Sequence, residues 1–253
     1  MKLPYKHKFT VAAHRGDSYN HFENTMTAFR AAVAAGADML ETDVRLSRDG
    51  QMVLIHDDSI DRTSDQRGKV RDMTFDQLRA VNVGDETTPE QIPTPTEFFA
   101  LAKESGVMVN LELKEYYLPG NEERCHKCID LAVALAEEYG LTDRMVFNSF
   151  DAHVLEYIHK KYGGKYMLHG FYPYDGMKNV EMNPDEYLFC ACIFKSKDQK
   201  NFEYLRSKGI EPWVGAGMTG EKHLAMCARY GAVLVTTNDP GDTLAKLEKL
   251  GER

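Results

Sequence analysis

Strand-length apolar runs alternate with helix-length amphipathic patterns along almost the whole chain, and no other feature restricts its fold as strongly. The strand candidates are "FTVAA" from Phe9, "DMLETDV" from Asp38, "VMVNLEL" from Val107 and "RMVFNSF" from Arg144. Four more follow: "KYMLHGF" from Lys165, "LFCACIF" from Leu188, "EPWVGAG" from Glu211 and "AVLVTTN" from Ala232. Helical patterns begin near Asn24, Thr96, Asn121, Asp151, Asp198, Thr219 and Asp239. Asn24, Thr96 and Asp151 read as N-caps, because a short polar side chain can accept from the free N–H groups of a first turn. Gly36, Gly106, Gly140, Gly163, Gly209 and Gly231 read as helix ends. The fifth crossover, "YPYDGMKNVEMNPDEY", is only weakly helical. Strands alternating with helices imply a parallel sheet. Roughly eight such units in 253 residues predict an α/β fold of the TIM (β/α)8 barrel type, whose usual length is about 250 residues. A doubly wound open sheet is the alternative, but neither G-x-G-x-x-G nor G-x-x-x-x-G-K-[ST] is present to support a nucleotide-binding version.

One segment breaks the rhythm. From about residue 58 to 95 the chain is polar, contains Pro and Gly, and holds one short helical pattern, "TFDQLRAVN". It follows the second strand, on the face where a barrel keeps its active site. The expectation is a single domain over 1–253 carrying a small cap-like insertion, docked through Val70, Met73, Phe75, Leu78, Val81 and Ile92. A structureless loop of that length is otherwise uncommon.

The stretch "LETDVRLSRDGQMVLIHDD", Leu40 to Asp58, carries Glu41, Asp43 and His56 within an otherwise apolar hairpin. Buried charge is costly unless it is paired or holds a metal. Side chains alternate along a strand, so Glu41 and Asp43 share a face. Asp49-Gly50 is a strong hairpin signal. As a two-residue loop it would set Asp43 opposite His56, with Cβ atoms about 4.5–5.5 Å apart. A three-residue loop with a bulge at Gly50 would shift the pairing by one. Either register returns His56 to the level of the carboxylates.

The third barrel strand repeats the pattern in "NLELK", with Asn110, Glu112 and Lys114 on one face, and the first strand ends in "AHRG", with His14 and Arg15. Three carboxylates (Glu41, Asp43, Glu112) without thiolates suit one hard divalent cation, Mg2+ or Ca2+. Two histidines titrating near neutrality suit a general acid and a general base. Arg15 and Lys114 add fixed positive charge. Together these groups fit attack at a phosphate ester, where charge builds on non-bridging oxygens.

The formal net charge of -8 argues against nucleic acid or an anionic membrane as partner, since both select basic surfaces. The first residues hold no apolar segment of signal-peptide length, and no run approaches a membrane span. The five cysteines are an odd set without an export signal, so free thiols and a cytoplasmic location are expected. Cys125 and Cys128 form a C-x-x-C inside a helical pattern with no second pair at ligand spacing, which makes zinc or redox use an unfavoured reading. Cys190 and Cys192 are expected to pack. Oligomeric state is unknown at this level.

At this point the residues match a known pattern. The sequence resembles the glycerophosphodiester phosphodiesterases through "HRG" at His14, "ENT" at Glu23, "ETDV" at Glu41, "RDGQMVLIHDD" and "ELK" at Glu112. Weaker echoes are "DRTSDQRGKVRDMTFDQLRAVNVG" with "IPTPTEFF", then "FNSFD" and "GAVLVTTNDPGDTL". The resemblance implies a TIM barrel with this insertion and hydrolysis of small-molecule glycerophosphodiesters to an alcohol and glycerol 3-phosphate. It implies His14 and His56 as the acid–base pair, one divalent cation on Glu41, Asp43 and Glu112, and phosphate contacts from Arg15 and Lys114. The chain departs from the pattern at Phe22, where the family often has Pro, and at "WVGAG", where it often has Trp-Thr-Val-Asn. Trp213 is expected as a pocket wall in contact with substrate, with barrel packing as its alternative. Phe150, Tyr172 and Met218 are further pocket candidates, while His153 and His169 read as structural or surface residues. Two other activities fit the same constellation: a lysophospholipase D-like or cyclic-phosphate-forming phosphodiesterase, and a non-catalytic phosphodiester-binding barrel.

Overall fold

The structure, a computed structural model, describes residues 1–193 and 198–253. Its strands are β1 (Thr10–His14), β2 (Met39–Leu46), β3 (Met52–Leu54), β4 (Met108–Leu113), β5 (Met145–Asn148), β6 (Met167–Tyr172), β7 (Cys190–Ile193), β8 (Glu211–Val214) and β9 (Leu234–Thr237). All but β3 pair in parallel, in the order β1-β9-β8-β7-β6-β5-β4-β2, and β1 also pairs with β2, so the sheet closes. This is a TIM barrel. Phe194, the last residue of the sixth strand candidate, lies outside the described residues.

The helices are α1 (Met26–Ala34), α2 (Phe75–Arg79), α3 (Pro95–Ser105), α4 (Glu122–Tyr139), α5 (Ala152–Lys161), α6 (Gln199–Ser207), α7 (Glu221–Tyr230) and α8 (Pro240–Leu250). Phe29 of α1 and Phe98 and Phe99 of α3 are fully buried against the sheet, and burial of each such side chain contributes about 1.5–3 kcal/mol. Two caps differ from the sequence expectation. Helix α3 starts earlier than Thr96: Thr94 and Glu97 form a capping box around Pro95, whose fixed φ suits a first helical position. Helix α1 is capped by Thr25 rather than Asn24. The weakly helical fifth crossover holds only two 3-10 turns, Tyr174–Gly176 and Pro184–Glu186.

The barrel interior is layered. At the amino ends of the strands, Leu3, Ala12, Met39, Met108, Val146, Met167, Cys190, Trp213 and Leu234 form an apolar plug. Tyr5 packs against it, and its hydroxyl donates to Glu211. Above the plug, toward the carboxyl ends, the interior turns polar.

The β2–β3 hairpin takes the bulged register. Val44 pairs with Leu54, Arg45 with Val53 and Leu46 with Met52, which places Ile55, not His56, opposite Asp43, and the Ile55 N–H donates to the Asp43 carbonyl at 3.0 Å. The two-residue alternative fails at Asp49: such a loop needs positive φ at both central residues, and Gly50 takes φ 77° but Asp49 does not take positive φ.

Beyond β3 the chain builds a small satellite core from Val53, Ile55, Ile60, Val70, Leu78, Val81, Val83 and Ile92, with Met73 and Phe75 packed against it. The Arg79 guanidinium bonds Glu97 and so ties this excursion to α3. All five cysteines are free and buried. Burial pushes the Cys125 thiol up to about 12, as suits packing rather than ligation. Among the described residues no helix is long and apolar enough to cross a membrane.

Candidate active site

A cleft of about 350 Å³ opens at the carboxyl ends of the barrel strands, with His14, Arg15, Glu41, His56, Glu112 and Lys114 on one side. The backbone after β1 shapes that side. Arg15 and Gly16 both take positive φ, 58° and 82°, so the chain turns sharply at the strand end. A Cβ on Gly16 would lie 2.6 Å from the carbonyl carbon of Ala28, and only glycine fits. The turn aims the Arg15 N–H at Glu41 Oε2, 2.8 Å away, and brings the Arg15 guanidinium 3.4 Å from Asp43 Oδ2.

Glu41 and Asp43 come from β2 and Glu112 from β4, whose parallel register sets Asp43 beside Glu112. All three are buried, and one oxygen of each lies within 4.8 Å of the others. Lys114 Nζ lies 2.5 Å from Glu112 Oε1 and 3.3 Å from Asp43 Oδ1. Asn24, held at φ 53°, accepts from Thr42 Oγ1 and donates to Asp43 Oδ2 at 3.0 Å. That duty explains why Asn24 does not cap α1.

Burial, reinforced by the charge of Asp43, pushes the Glu41 carboxyl up to about 8. Burial also pushes Glu112 up to about 7, against the pull of Lys114. Burial opposes ionisation of Asp43 too, but Lys114, His56, Arg15 and the Asn24 hydrogen bond outweigh it and hold that carboxyl low. Three ionised carboxylates exceed the two cations by one charge. A divalent cation would leave one positive charge to meet the single negative charge of a phosphodiester. The all-oxygen donor set, with two carboxyls that burial holds back from ionising until a positive charge compensates them, fits a hard divalent cation.

Both histidines have one ring nitrogen tied. His14 Nδ1 lies 2.7 Å from Asn238 Oδ1, an acceptor just past β9. His56 Nδ1 lies 2.6 Å from Asp57 Oδ1. Each bond fixes Nδ1 as the donor and leaves Nε2 as the basic atom. Burial lowers the pKa of both rings, with Arg15 adding to the effect at His14. On the outer side Arg62 donates through Nε to Asp57 Oδ2 at 2.7 Å and through Nη1 and Nη2 to both oxygens of Glu23. Glu23 in turn receives Arg15 Nη1 at 2.9 Å.

The opposite wall is apolar. Phe150 and Phe171 stack at 3.5 Å between centroids, and Cys192, Met218 and the Gly215-Ala216-Gly217 turn complete the wall. Tyr172 turns away toward Tyr174 and Tyr204. Trp213 does not line the cleft. It is fully buried in the plug, and its ring lies 4.8 Å from that of His169, tilted at 53°. The sequence could not separate these two placements, because both lie on inward-facing strand positions.

His169, read from the sequence as structural or surface, sits on the cleft floor beside Asn148 of the neighbouring strand. Burial pushes His169 down to about 3, so the ring is neutral. His169 Nε2 and Asn148 Oδ1 are buried without hydrogen-bond partners, two polar atoms suited to a hydroxylated ligand. His153 stays outside the cleft, stacked on Tyr117 and bonded to His126.

Comparison with known proteins gives a consistent result. The model of the glycerophosphoryl diester phosphodiesterase family matches residues 14–183. A glycerophosphodiester phosphodiesterase of Caldanaerobacter subterraneus is 38% identical over 159 residues, 60% of this chain and 63% of the relative. One from Bacillus altitudinis is 36% identical over 157 residues, 59% of this chain and 61% of the relative. The chain thus spans about three fifths of the length of the curated relatives it matches. Among solved structures, an Oleispira antarctica phosphodiesterase in complex with the product sn-glycerol-3-phosphate has a TM-score of 0.81 at 22% identity, covering 94% of this chain and 96% of that one. A Silicibacter pomeroyi protein described as a glycerophosphoryl diester phosphodiesterase has a TM-score of 0.82 at 19% identity, covering 98% and 95%.

Proposed function

The chain belongs to the glycerophosphoryl diester phosphodiesterase family, and from that premise we propose that it hydrolyses glycerophosphodiesters such as glycerophosphocholine or glycerophosphoethanolamine to an alcohol and glycerol 3-phosphate. One observation carries this reading. Two histidines, each tied at Nδ1, share a cleft with Glu41, Glu112 and two cations, and Asp43 is buried within 4.8 Å of both carboxylates. The sn-glycerol-3-phosphate in the Oleispira antarctica protein supports the product.

Glu41, Asp43 and Glu112 would hold one divalent cation, Mg2+ or Ca2+, which when bound supplies Lewis-acid polarisation of a phosphoryl oxygen. Arg15 and Lys114 bind the non-bridging oxygens and meet the charge that develops there. The Nε2 of one histidine takes the proton of the glycerol hydroxyl next to the phosphodiester as that oxygen bonds to phosphorus. The other histidine, protonated, gives its proton to the departing alkoxide as the old P–O bond breaks. Water then opens the cyclic phosphate with the two roles exchanged. The His169 and Asn148 acceptors face the remaining glycerol hydroxyl, and Phe150 and Phe171 pack on the carbon skeleton.

The test is direct. The protein is incubated with glycerophosphocholine and glycerophosphoethanolamine in Mg2+, Ca2+ or EDTA, and glycerol 3-phosphate is assayed. Product with a metal and none in EDTA is expected. No product with either ion across a panel of headgroups would sink the reading, and full activity in EDTA would sink the metal assignment. The apolar wall of Phe150, Phe171 and Met218 favours one second reading, lysophospholipase D-like cleavage. Including a lysophospholipid in the panel separates the two.

A further inference from the structure

Arg62 lies in the excursion, outside the groups that touch substrate, yet its guanidinium joins two chains of contacts that lead inward. Through Nε it holds Asp57 Oδ2 at 2.7 Å, and the other oxygen of Asp57 meets His56 Nδ1 at 2.6 Å. Through Nη1 and Nη2 it grips Glu23 at 2.8 and 2.7 Å, and Glu23 Oε1 also receives Arg15 Nη1 at 2.9 Å. One planar fork therefore reaches both the acid–base ring of His56 and the phosphate-facing side chain of Arg15. A lysine could not do the same, because its ammonium is a single point of charge.

The local chain is built to present that fork. Ile60 is fully buried in the satellite core. The Ile60 N–H donates to the Gly68 carbonyl, and the Gly68 N–H donates to Asp61 Oδ1. Ser64 Oγ closes the turn on the Ile60 carbonyl at 2.9 Å. Arg62 stands on this anchored turn with its side chain 49% exposed.

That exposure separates two explanations. Half-exposed ion pairs contribute little to stability, because water screens them. A network kept only for stability would be a weak one here. Orientation is another matter: a ring turned by a small angle at a reacting centre loses rate steeply. Without Arg62, Asp57 would lose its second partner and be free to rotate, and Glu23 would keep Arg15 alone.

We propose that Arg62 is a positioning residue of the active site, fixing His56 through Asp57 and Arg15 through Glu23, so that the excursion after β3 completes the catalytic constellation. The inference rests on the proposed phosphodiesterase reading for its kinetic consequence only. The geometry it asserts can be read without turnover.

The experiment has two arms. In the first, wild type and Arg62→Ala are labelled with 15N-histidine, and the His56 tautomer is read by long-range 1H–15N correlation. Wild type should show the Nδ1–H form, and Arg62→Ala a clear gain of the Nε2–H form, with an unchanged thermal transition. In the second, kcat for glycerophosphoethanolamine with Mg2+ should fall about 100-fold in Arg62→Ala, recover in part on addition of guanidinium, and be intermediate in Arg62→Lys. An Arg62→Ala protein that keeps the His56 tautomer would overturn the proposal. So would a rate loss that neither guanidinium nor lysine relieves. Wild type inactive on every phosphodiester would sink the functional reading instead, while the tautomer still decides the role of Arg62.

Discussion

Lys114 Nζ lies 2.5 Å from Glu112 Oε1, two residues back on the same run of backbone, and 3.3 Å from Asp43 Oδ1 on the adjacent strand. The lysine is 7% exposed, so its charge is the main local offset for two buried carboxylates.

Replacing it leaves those carboxylates without that offset. Lys114→Met should lower stability by about 3 kcal/mol, the scale for breaking a buried pair on one side, and abolish turnover. Urea unfolding without added metal measures the first effect. The loss should shrink at acid pH, where Glu112 takes a proton. An unchanged urea midpoint would show that the pair is not holding the site together.

Metal and pH should be linked, with a definite sign. Burial raises Glu41 to about 8 and Glu112 to about 7 in the folded chain, above the usual value near 4.5. A carboxyl with a raised folded pKa binds more protons folded than unfolded. Its contribution is full below pH 4.5 and is lost as pH climbs through the folded value. The metal-free protein should therefore melt lower at about pH 8 than at about pH 5.5 on account of these groups. A bound divalent cation needs the deprotonated ligands, so the gain in Tm on adding Mg2+ or Ca2+ should be larger at the higher pH. Equal gains at both pH values, or none with either ion, would count against a metal on these carboxylates.

Asn238 should matter through His14. Asn238→Ala frees the imidazole Nδ1 and should cut kcat about 100-fold with little effect on folding. Asn238→Asp should keep the tautomer but favour the imidazolium, because a carboxylate beside the ring stabilises its charge. The limb of the pH–rate profile that reports His14, acid if it is the base and alkaline if it is the acid, should then move upward. A profile identical to wild type in both variants would show that Asn238 does not govern His14.

On the floor of the cleft, His169→Leu should raise KM for glycerophosphodiesters roughly tenfold, the scale of one lost hydrogen bond, with a smaller change in kcat. A substrate analogue without the free glycerol hydroxyls should bind both proteins alike. If His169→Leu leaves KM unchanged, the unpartnered Nε2 has no part in recognition.

The barrel was legible in the sequence because its strands are short apolar runs with Gly-terminated helices between them. The grouping of Glu41, Asp43 and Glu112 followed from the two-residue period of strands. The return of His56 followed from the Asp-Gly turn, although the register did not, since Gly50 serves a bulge as well as a tight loop. What the sequence withheld is set by contacts between distant segments. Asn24, Asn238 and Arg62 show no periodic signature, because each acts on a neighbour brought near only by closure of the barrel or docking of the excursion. His169 and Trp213 share inward-facing positions, and only their depth assigns one to the cleft and the other to the plug.

Closure has a further consequence for when the molecule becomes competent. The contact between His14 and Asn238 spans 224 residues of chain, and β1 meets both β2 and β9. Contacts of such separation form late, because the loop they close must be ordered first. Glu41, Asp43 and Glu112 lie on adjacent strands and can gather while the ninth strand is still being synthesised, but His14 lacks its partner until residue 238 arrives. A nascent chain would therefore hold its carboxylates in place before it can do acid–base chemistry, and catalytic power would switch on in one step, at the moment the barrel shuts.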